Sequence, residues 1–153
     1  MLTIAADSLG DEGFKADHGL RYAYLAGAMY KGISSADLVI AMGRAGMLGY
    51  LGAGGMTFDA LEAALVRIRE RLPGGEAYGM NLLCSLDRPD IEDHTVDMYL
   101  RHGVRFVEAA AFMRITPSLV RFRLHGIRRD AHGHAVSPRR ILAKVSRPEV
   151  ASA

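Results

Sequence analysis

The chain has 153 residues, of which 50% are hydrophobic and 24% charged, and its formal net charge is +2. This composition is typical of about one globular domain and excludes an intrinsically disordered chain, because the apolar fraction can build a core. Cys84 is the only cysteine, no apolar run reaches the roughly 20 residues of a membrane-spanning helix, and residues 1–14 lack the pattern of a secretory signal, so we expect a cytoplasmic protein that binds no membrane.

Five short apolar segments alternate with four amphipathic ones along the chain. The predicted strands are 20–25, 47–51, 78–84, 104–108 and 141–145. The predicted helices start at Ser34, Thr57, Pro89 and Thr116 and end by Gly46, Pro73, Gly103 and Gly126. Residues 1–19 are predicted to form a polar lead-in, residues 128–139 a polar turn, and Pro148 to begin a further helix.

This alternation of strands and helices predicts an α/β fold with a parallel sheet and right-handed crossovers. Two architectures fit it: a doubly wound open sheet, or part of a (β/α)8 barrel. A complete barrel needs roughly 200 residues or more, so the chain is too short to form one by itself.

Ligands bind at the carboxyl ends of parallel strands, and small residues are common at those ends here. In the segment Gly52–Gly55 they either let backbone amides approach a ligand or simply ease a tight turn. Asn81 either meets a ligand edge or bonds neighbouring backbone. Lys144 either has an anionic partner or extends into solvent from the strand end, and Glu108 fits a salt bridge with Arg105.

Positive charge is concentrated at the end of the chain, where residues 121–153 carry eight Lys or Arg against two Asp or Glu. The six arginines between Arg121 and Arg140 form no stripe and have no aromatic platform, so we do not expect a nucleic-acid partner. An anionic substrate carrier or an acidic protein fits them equally well. Because Cys and His do not cluster, no metal site is expected.

Four segments carry a resemblance to a known family: Tyr22–Ile33, Tyr78–Cys84, Val107–Met113 and Ile141–Val150. They resemble the PfaD-type proteins, the flavin-dependent enoyl reductases of polyunsaturated-fatty-acid synthases and of trans-acyltransferase polyketide synthases. These are related to the nitronate monooxygenases. The resemblance extends over nearly the whole chain and implies that residues 20–153 are the N-terminal half of a TIM-barrel FMN-binding domain, the first four β-α units plus strand five.

The resemblance also implies an activity. In the family, NADPH reduces FMN, and the flavin passes hydride to the β-carbon of an α,β-unsaturated thioester held on an acyl carrier protein. Carried over by position, Gly27, Ala28 and Met29 line the flavin ring, Asn81 contacts FMN, and Lys144 lies near the flavin. The resemblance assigns no catalytic residue.

The family's later barrel strands have no counterpart in the sequence. We therefore expect the chain to self-associate or to need a complementary half-barrel, since the sheet edges are otherwise unpaired. Two alternatives stay open: a nitronate monooxygenase-like flavoenzyme, and a non-catalytic remnant that acts at most as an interaction module.

Overall fold

The computed structural model describes residues 4–152, which fall into two compact units divided after Gly79. The strands are β1 (Leu25–Ala26), β2 (Leu48–Leu51), β3 (Gly79–Leu83), β4 (Phe106–Ala110), β5 (Arg128–Arg129), β6 (Ala135–Val136) and β7 (Arg140–Lys144). The helices are α1 (Glu12–His18), α2 (Ala36–Arg44), α3 (Phe58–Arg71), α4 (Pro89–Arg101), α5 (Pro117–Leu124) and α6 (Pro148–Ala151), with 3-10 turns at Ala6–Ser8 and Tyr30–Gly32.

In the first unit, two helices and two strands follow from capping and apolar periodicity. The Ser35 hydroxyl accepts the Leu38 N–H at the start of α2, and Thr57 accepts the Ala60 N–H at the start of α3. Every residue of β2 is buried, as a strand covered on both faces requires. β1 pairs with β2 in parallel, with Leu25 opposite Leu48.

Part of the predicted lead-in is helical. Residues 12–18 form α1. The Asp11 side chain caps the N-terminus of this helix by accepting the Phe14 N–H. Lys15 is buried, and its Nζ donates to the carbonyl of Asp7 and pairs with Glu12. The predicted boundary between the lead-in, residues 1–19, and the half-barrel, residues 20–153, stays a prediction.

The second unit repeats the strand-helix pattern. β4 and β7 pair in parallel from Phe106 opposite Arg140 to Ala110 opposite Lys144. The predicted proline start of α5 is confirmed, because the Thr116 hydroxyl accepts the Leu119 N–H immediately before Pro117. On α4, Val96, Met98 and Tyr99 are buried.

The order of strands along the main sheet is β1-β2-β3-β4-β7. The predicted α/β class, with a parallel sheet of the first four β-α units plus a fifth strand, is confirmed. No helix within residues 4–152 is both long and apolar enough to cross a membrane.

Two local predictions were wrong. The run 20–25 yields only the two-residue β1, because the N–H groups of Arg21 and Tyr22 both donate to the carbonyl of Gly46 and turn the chain there. The predicted turn 128–139 contains a small antiparallel hairpin, with Arg128 opposite Val136. Asp130 stabilises its tip by accepting the backbone N–H groups of His132 and His134.

Candidate functional site

Two of the predicted site residues, Asn81 and Lys144, meet at one buried carboxylate in the second unit. The Oε2 atom of Glu108 lies 3.4 Å from Asn81 Nδ2 and 3.5 Å from Lys144 Nζ. Asn81 Nδ2 also donates to the backbone carbonyl of Glu108, at 3.3 Å. Three successive strands of the sheet thus contribute one polar side chain each to what we call the Glu108 cluster: Asn81, Glu108 and Lys144.

Strand register explains why Glu108 and Lys144 share a face. Lys144 lies opposite Ala110, and side chains two residues apart on a strand point the same way, so Glu108 and Lys144 are diagonal neighbours. Such neighbours are within reach of long side chains. The lysine at the end of β7 therefore meets the glutamate in the middle of β4.

Burial within the cluster is uneven. The Glu108 side chain is 3% exposed, whereas that of Lys144 is 52% exposed. Both sequence interpretations of Lys144 therefore hold in part, since it has an anionic partner and also reaches solvent. The sequence fits a salt bridge between Glu108 and Arg105 but does not predict these two contacts of Glu108. The signal for them is an acidic residue inside an otherwise apolar strand.

Asn81 is fixed on both sides of its strand. Its backbone carbonyl accepts the hydroxyl of Tyr99 from α4 at 2.7 Å, and burial raises the pKa of Tyr99, which keeps that hydroxyl protonated. Its side-chain amide donates to Glu108. Of the two sequence interpretations, bonding to neighbouring backbone is confirmed, while Oδ1 accepts no hydrogen bond from the residues in 4–152.

In the first unit, Ser34 bonds to the last residue of the predicted flavin-lining segment Gly27, Ala28 and Met29. The Met29 N–H donates to the buried Ser34 hydroxyl at 2.7 Å, so this amide is already used within the chain. Ala28 is buried, and Met29 is 45% exposed. The segment therefore offers the Met29 side chain, rather than the Met29 amide, to its surroundings.

The segment Gly52–Gly55 is small because backbone packs directly against it. A Cβ at Gly52 would lie 1.6 Å from the carbonyl oxygen of Met29, and Gly55 has a φ of +78°. The Gly52 carbonyl accepts the Gly32 N–H, and the Gly54 carbonyl accepts the Lys31 N–H. These contacts favour the interpretation that these glycines allow a tight turn.

Strain and a cavity mark the carboxyl ends of β3 and β4. Ala111, directly after β4, has a φ of +61°, which is unusual for a residue with a Cβ. A cavity of about 370 Å³ lies between the loops that enter α4 and α5, and Glu92 on its wall bonds the Thr116 hydroxyl. Burial, and then the nearby Glu92 carboxylate, raise the pKa of the Cys84 thiol, which disfavours its thiolate form.

Most of the terminal arginines have internal partners. Arg121 pairs with Asp93 and Asp97 on α4, Arg123 donates to the carbonyl of Arg139, and Arg139 donates to the carbonyl of Val104. The exposed pair Arg128 and Arg129 belongs to the hairpin that precedes the amino end of β7. Lys144 stands at the opposite, carboxyl end of that strand.

The chain is similar in sequence to several proteins of polyketide and polyunsaturated fatty acid synthesis. It is 54% identical over 147 residues to the polyketide biosynthesis protein ThaF of Burkholderia thailandensis, covering 96% of this chain and 12% of that protein. It is 45% identical to the polyketide biosynthesis protein PksE of Bacillus subtilis, covering 97% of this chain and 19% of that one. It is 44% identical to a component of the polyunsaturated fatty acid synthase of a Thraustochytrium species, covering 94% and 10%.

Solved structures give the same result at the level of the fold. The enoyl reductase domain of MlnA from the macrolactin biosynthesis cluster of Bacillus amyloliquefaciens matches 97% of this chain with a TM-score of 0.94 and 44% identity. The resemblance predicted from the sequence is confirmed. FabK from Thermotoga maritima, at 19% identity and a TM-score of 0.71, shows the fold alone. No family model matches the chain.

The chain spans only part of each of these proteins. It covers 34% of the MlnA enoyl reductase chain and less than a fifth of the three sequence relatives. It is therefore similar to about a third of the MlnA enoyl reductase chain, in agreement with the sequence prediction of a portion of such a domain.

Proposed function

We propose that the chain supplies part of the FMN site of an enoyl reductase. The reaction is NADPH-dependent reduction of an α,β-unsaturated thioester carried by an acyl carrier protein, in polyketide or polyunsaturated fatty acid synthesis. The likeness to the MlnA enoyl reductase domain supports the reaction class, and the named relatives support the pathway class. The observation behind the proposal is the Glu108 cluster, where two of the five residues carried over from the resemblance, Asn81 and Lys144, meet.

The hydrogen-bonding groups of this cluster fit a flavin ring. The edge of an isoalloxazine carries both hydrogen-bond donors and acceptors, so a site for it needs both kinds of group. Lys144 Nζ is a cationic donor that is half exposed, and Asn81 Oδ1 is an acceptor without a partner among residues 4–152. The residues present therefore fit the cofactor that the resemblance implies.

Bound FMN supplies hydride transfer between the nicotinamide and the unsaturated acyl group. Lys144 keeps a positive charge at the carboxyl end of β7, where it stabilises negative charge that develops next to it. Asn81 fixes the orientation of a ring edge, since its backbone is held by Tyr99 and its amide by Glu108. In the first unit, the resemblance carries over Gly27, Ala28 and Met29 as flavin-lining residues, and the Ser34 hydroxyl accepts the Met29 N–H.

The acyl carrier protein is the proposed source of substrate. Its thioester has to reach the carboxyl ends of the strands, where Lys144 lies. Arg128 and Arg129 are exposed and could attract an acidic protein, but the hairpin that carries them joins β7 at its amino end. We therefore place carrier docking at the loops that follow β3, β4 and β7 rather than at this hairpin.

The sheet also supports the proposal that the chain associates with further strands. β1 and β7 are the terminal strands of the sheet within residues 4–152, and terminal strands present unpaired backbone groups. We expect the chain to self-associate or to bind a complementary half-barrel. Sedimentation of the purified chain at micromolar concentration tests this, and a well-folded monomer would contradict it.

The direct test of the proposed function is a fluorescence titration of the chain with FMN. We expect saturable binding by the wild type. The Asn81→Ala, Lys144→Ala double variant should bind FMN at least about tenfold more weakly, because it lacks both proposed contacts to the cofactor. A tenfold loss corresponds to about 1.4 kcal/mol of binding free energy. Arg67→Ala, which removes an exposed cation on α3, is the matched control and should bind like the wild type.

Each outcome of this titration is informative. Equal binding by wild type and double variant would reject the cluster as the flavin site. Absence of binding by the wild type would reject the proposed function for this chain and favour the non-catalytic remnant.

A further inference from the structure

One atom, Glu108 Oε2, contacts both side chains that the proposed function uses. It lies 3.4 Å from Asn81 Nδ2 and 3.5 Å from Lys144 Nζ. Glu108 itself is almost fully buried, so it is not placed to bind a ligand as an exposed group. Its geometry fits a residue that acts through its two neighbours.

Glu108 determines which way the Asn81 amide faces. The two atoms that Glu108 presents to Asn81, its backbone carbonyl and Oε2, are both acceptors. Only the Nδ2 end of the amide can bond to them. Oδ1 is therefore the end left for a ligand, and an amide that could present either a donor or an acceptor is restricted to an acceptor.

Glu108 also limits the freedom of Lys144. A lysine that is half exposed at a strand end has four flexible carbons and gains entropy by extending into water. The buried carboxylate gives its ammonium group a fixed partner on the neighbouring strand. The position of the positive charge is then set by the rigid strand β4 rather than by solvent.

We propose that Glu108 is a positioning residue that fixes the Asn81 amide as an acceptor and holds the Lys144 ammonium at the flavin. This inference rests on the proposed FMN site and adds to it a residue that touches no ligand. The inference depends on one buried oxygen atom, Glu108 Oε2, which contacts both the Asn81 side-chain amide and the Lys144 ammonium group.

The substitution Glu108→Gln tests the proposal. It keeps the size of the side chain, but its amide can bond to either end of the Asn81 amide and offers Lys144 no negative charge. We expect FMN binding to weaken about tenfold, measured by fluorescence titration of the full chain. Simple loss of a negative charge near an anionic cofactor predicts the opposite sign, namely equal or tighter binding.

A double-mutant cycle separates positioning from a merely structural role. In the Asn81→Ala, Lys144→Ala background, Glu108→Gln should weaken FMN binding no further, because the groups it positions are gone. An unchanged tenfold loss in that background would overturn the proposal. Glu70→Gln, an exposed acid on α3, is the matched control and should bind FMN like the wild type.

Two further results are decisive. If Glu108→Gln fails to fold, as judged by circular dichroism, Glu108→Asp keeps the charge but shortens its reach and should also weaken FMN binding. Wild-type-like binding by whichever of these variants folds would overturn the inference and leave the proposed function standing. Absence of FMN binding by the wild type would overturn both.

Discussion

The two parts of the molecule that carry predicted site residues are built in different ways. In the first unit, the segment 27–34 is held by backbone hydrogen bonds and by the Ser34 hydroxyl, with Gly52 so close to the Met29 carbonyl that no side chain fits between them. In the second unit, the Glu108 cluster is made of polar side chains that meet across three strands. The first region requires that Gly52 has no side chain, and the second requires the carboxylate of Glu108.

Because of this difference, substitutions in the two regions should affect different properties, namely the stability of the fold and the binding of a ligand. A change in the segment 27–34 or at Gly52 should destabilise the fold, because backbone packing there has no flexible group to adjust. A change in the Glu108 cluster should alter ligand binding, because the proposed contacts to the cofactor lie there and the Lys144 side chain is half exposed.

The largest effect is expected from Gly52→Ala. The added Cβ would lie 1.6 Å from the Met29 carbonyl oxygen, so the backbone has to shift. We expect a loss of about 3 kcal/mol in the free energy of unfolding, measured by urea denaturation. Gly74→Ala is the control, since its Cβ would meet only the flexible end of Glu76 and should cost less than about 0.5 kcal/mol.

Ser34→Ala should have the next largest effect. Ser34 is fully buried, and its hydroxyl accepts the Met29 N–H, so the substitution leaves that donor without its partner. We expect a loss of about 2 kcal/mol. Ser8→Ala removes an exposed hydroxyl and should change stability by less than about 0.5 kcal/mol. Equal effects of the two substitutions would show that the Ser34 contact does not hold the segment.

Ala111→Gly should stabilise the protein. Ala111 has a φ of +61°, and a residue with a Cβ costs roughly 1 kcal/mol more than glycine in that conformation. The neighbouring Ala110→Gly, within β4, should instead destabilise by about 0.5–1 kcal/mol. The matched pair is measured by denaturation under one set of conditions, and the same sign for both would contradict the strain at Ala111.

The smallest effect is a dependence of stability on acid pH in the second unit. The hydrogen bond from Ser118, and then Arg121, lower the pKa of Asp93 below its ordinary value of 3.8. A carboxyl group with a lowered folded-state pKa stabilises the fold above its unfolded value, and this contribution is lost as the pH falls through the lowered value. Asp93→Asn should therefore show a shallower loss of stability below about pH 4 than the wild type.

Ser118→Ala provides the check on this assignment. It removes the largest cause of the lowered pKa, so the Asp93 carboxyl should titrate closer to its ordinary value, as followed by NMR. An unchanged Asp93 titration in this variant would assign the shift to another group.

Local signals in the sequence predicted most of the elements but not their contacts. Thr57 and Thr116 begin helices as expected, because capping depends on neighbouring residues alone. The run 20–25 was misassigned because two of its N–H groups bond to Gly46, a contact about 25 residues away. The hairpin after α5 was missed because its strands are only two residues long and mostly exposed.

Local patterns in the sequence are enough to predict the β-α order, the class of the fold and the resemblance to the flavin-dependent enoyl reductases. These follow from periodicity, caps and motifs that are written along the chain. Only the tertiary structure shows that Glu108 contacts Asn81 and Lys144, and that the backbone N–H of Met29 is hydrogen-bonded to the Ser34 hydroxyl. Strand register sets the first set of contacts and close backbone packing the second, and neither is a local property of the sequence.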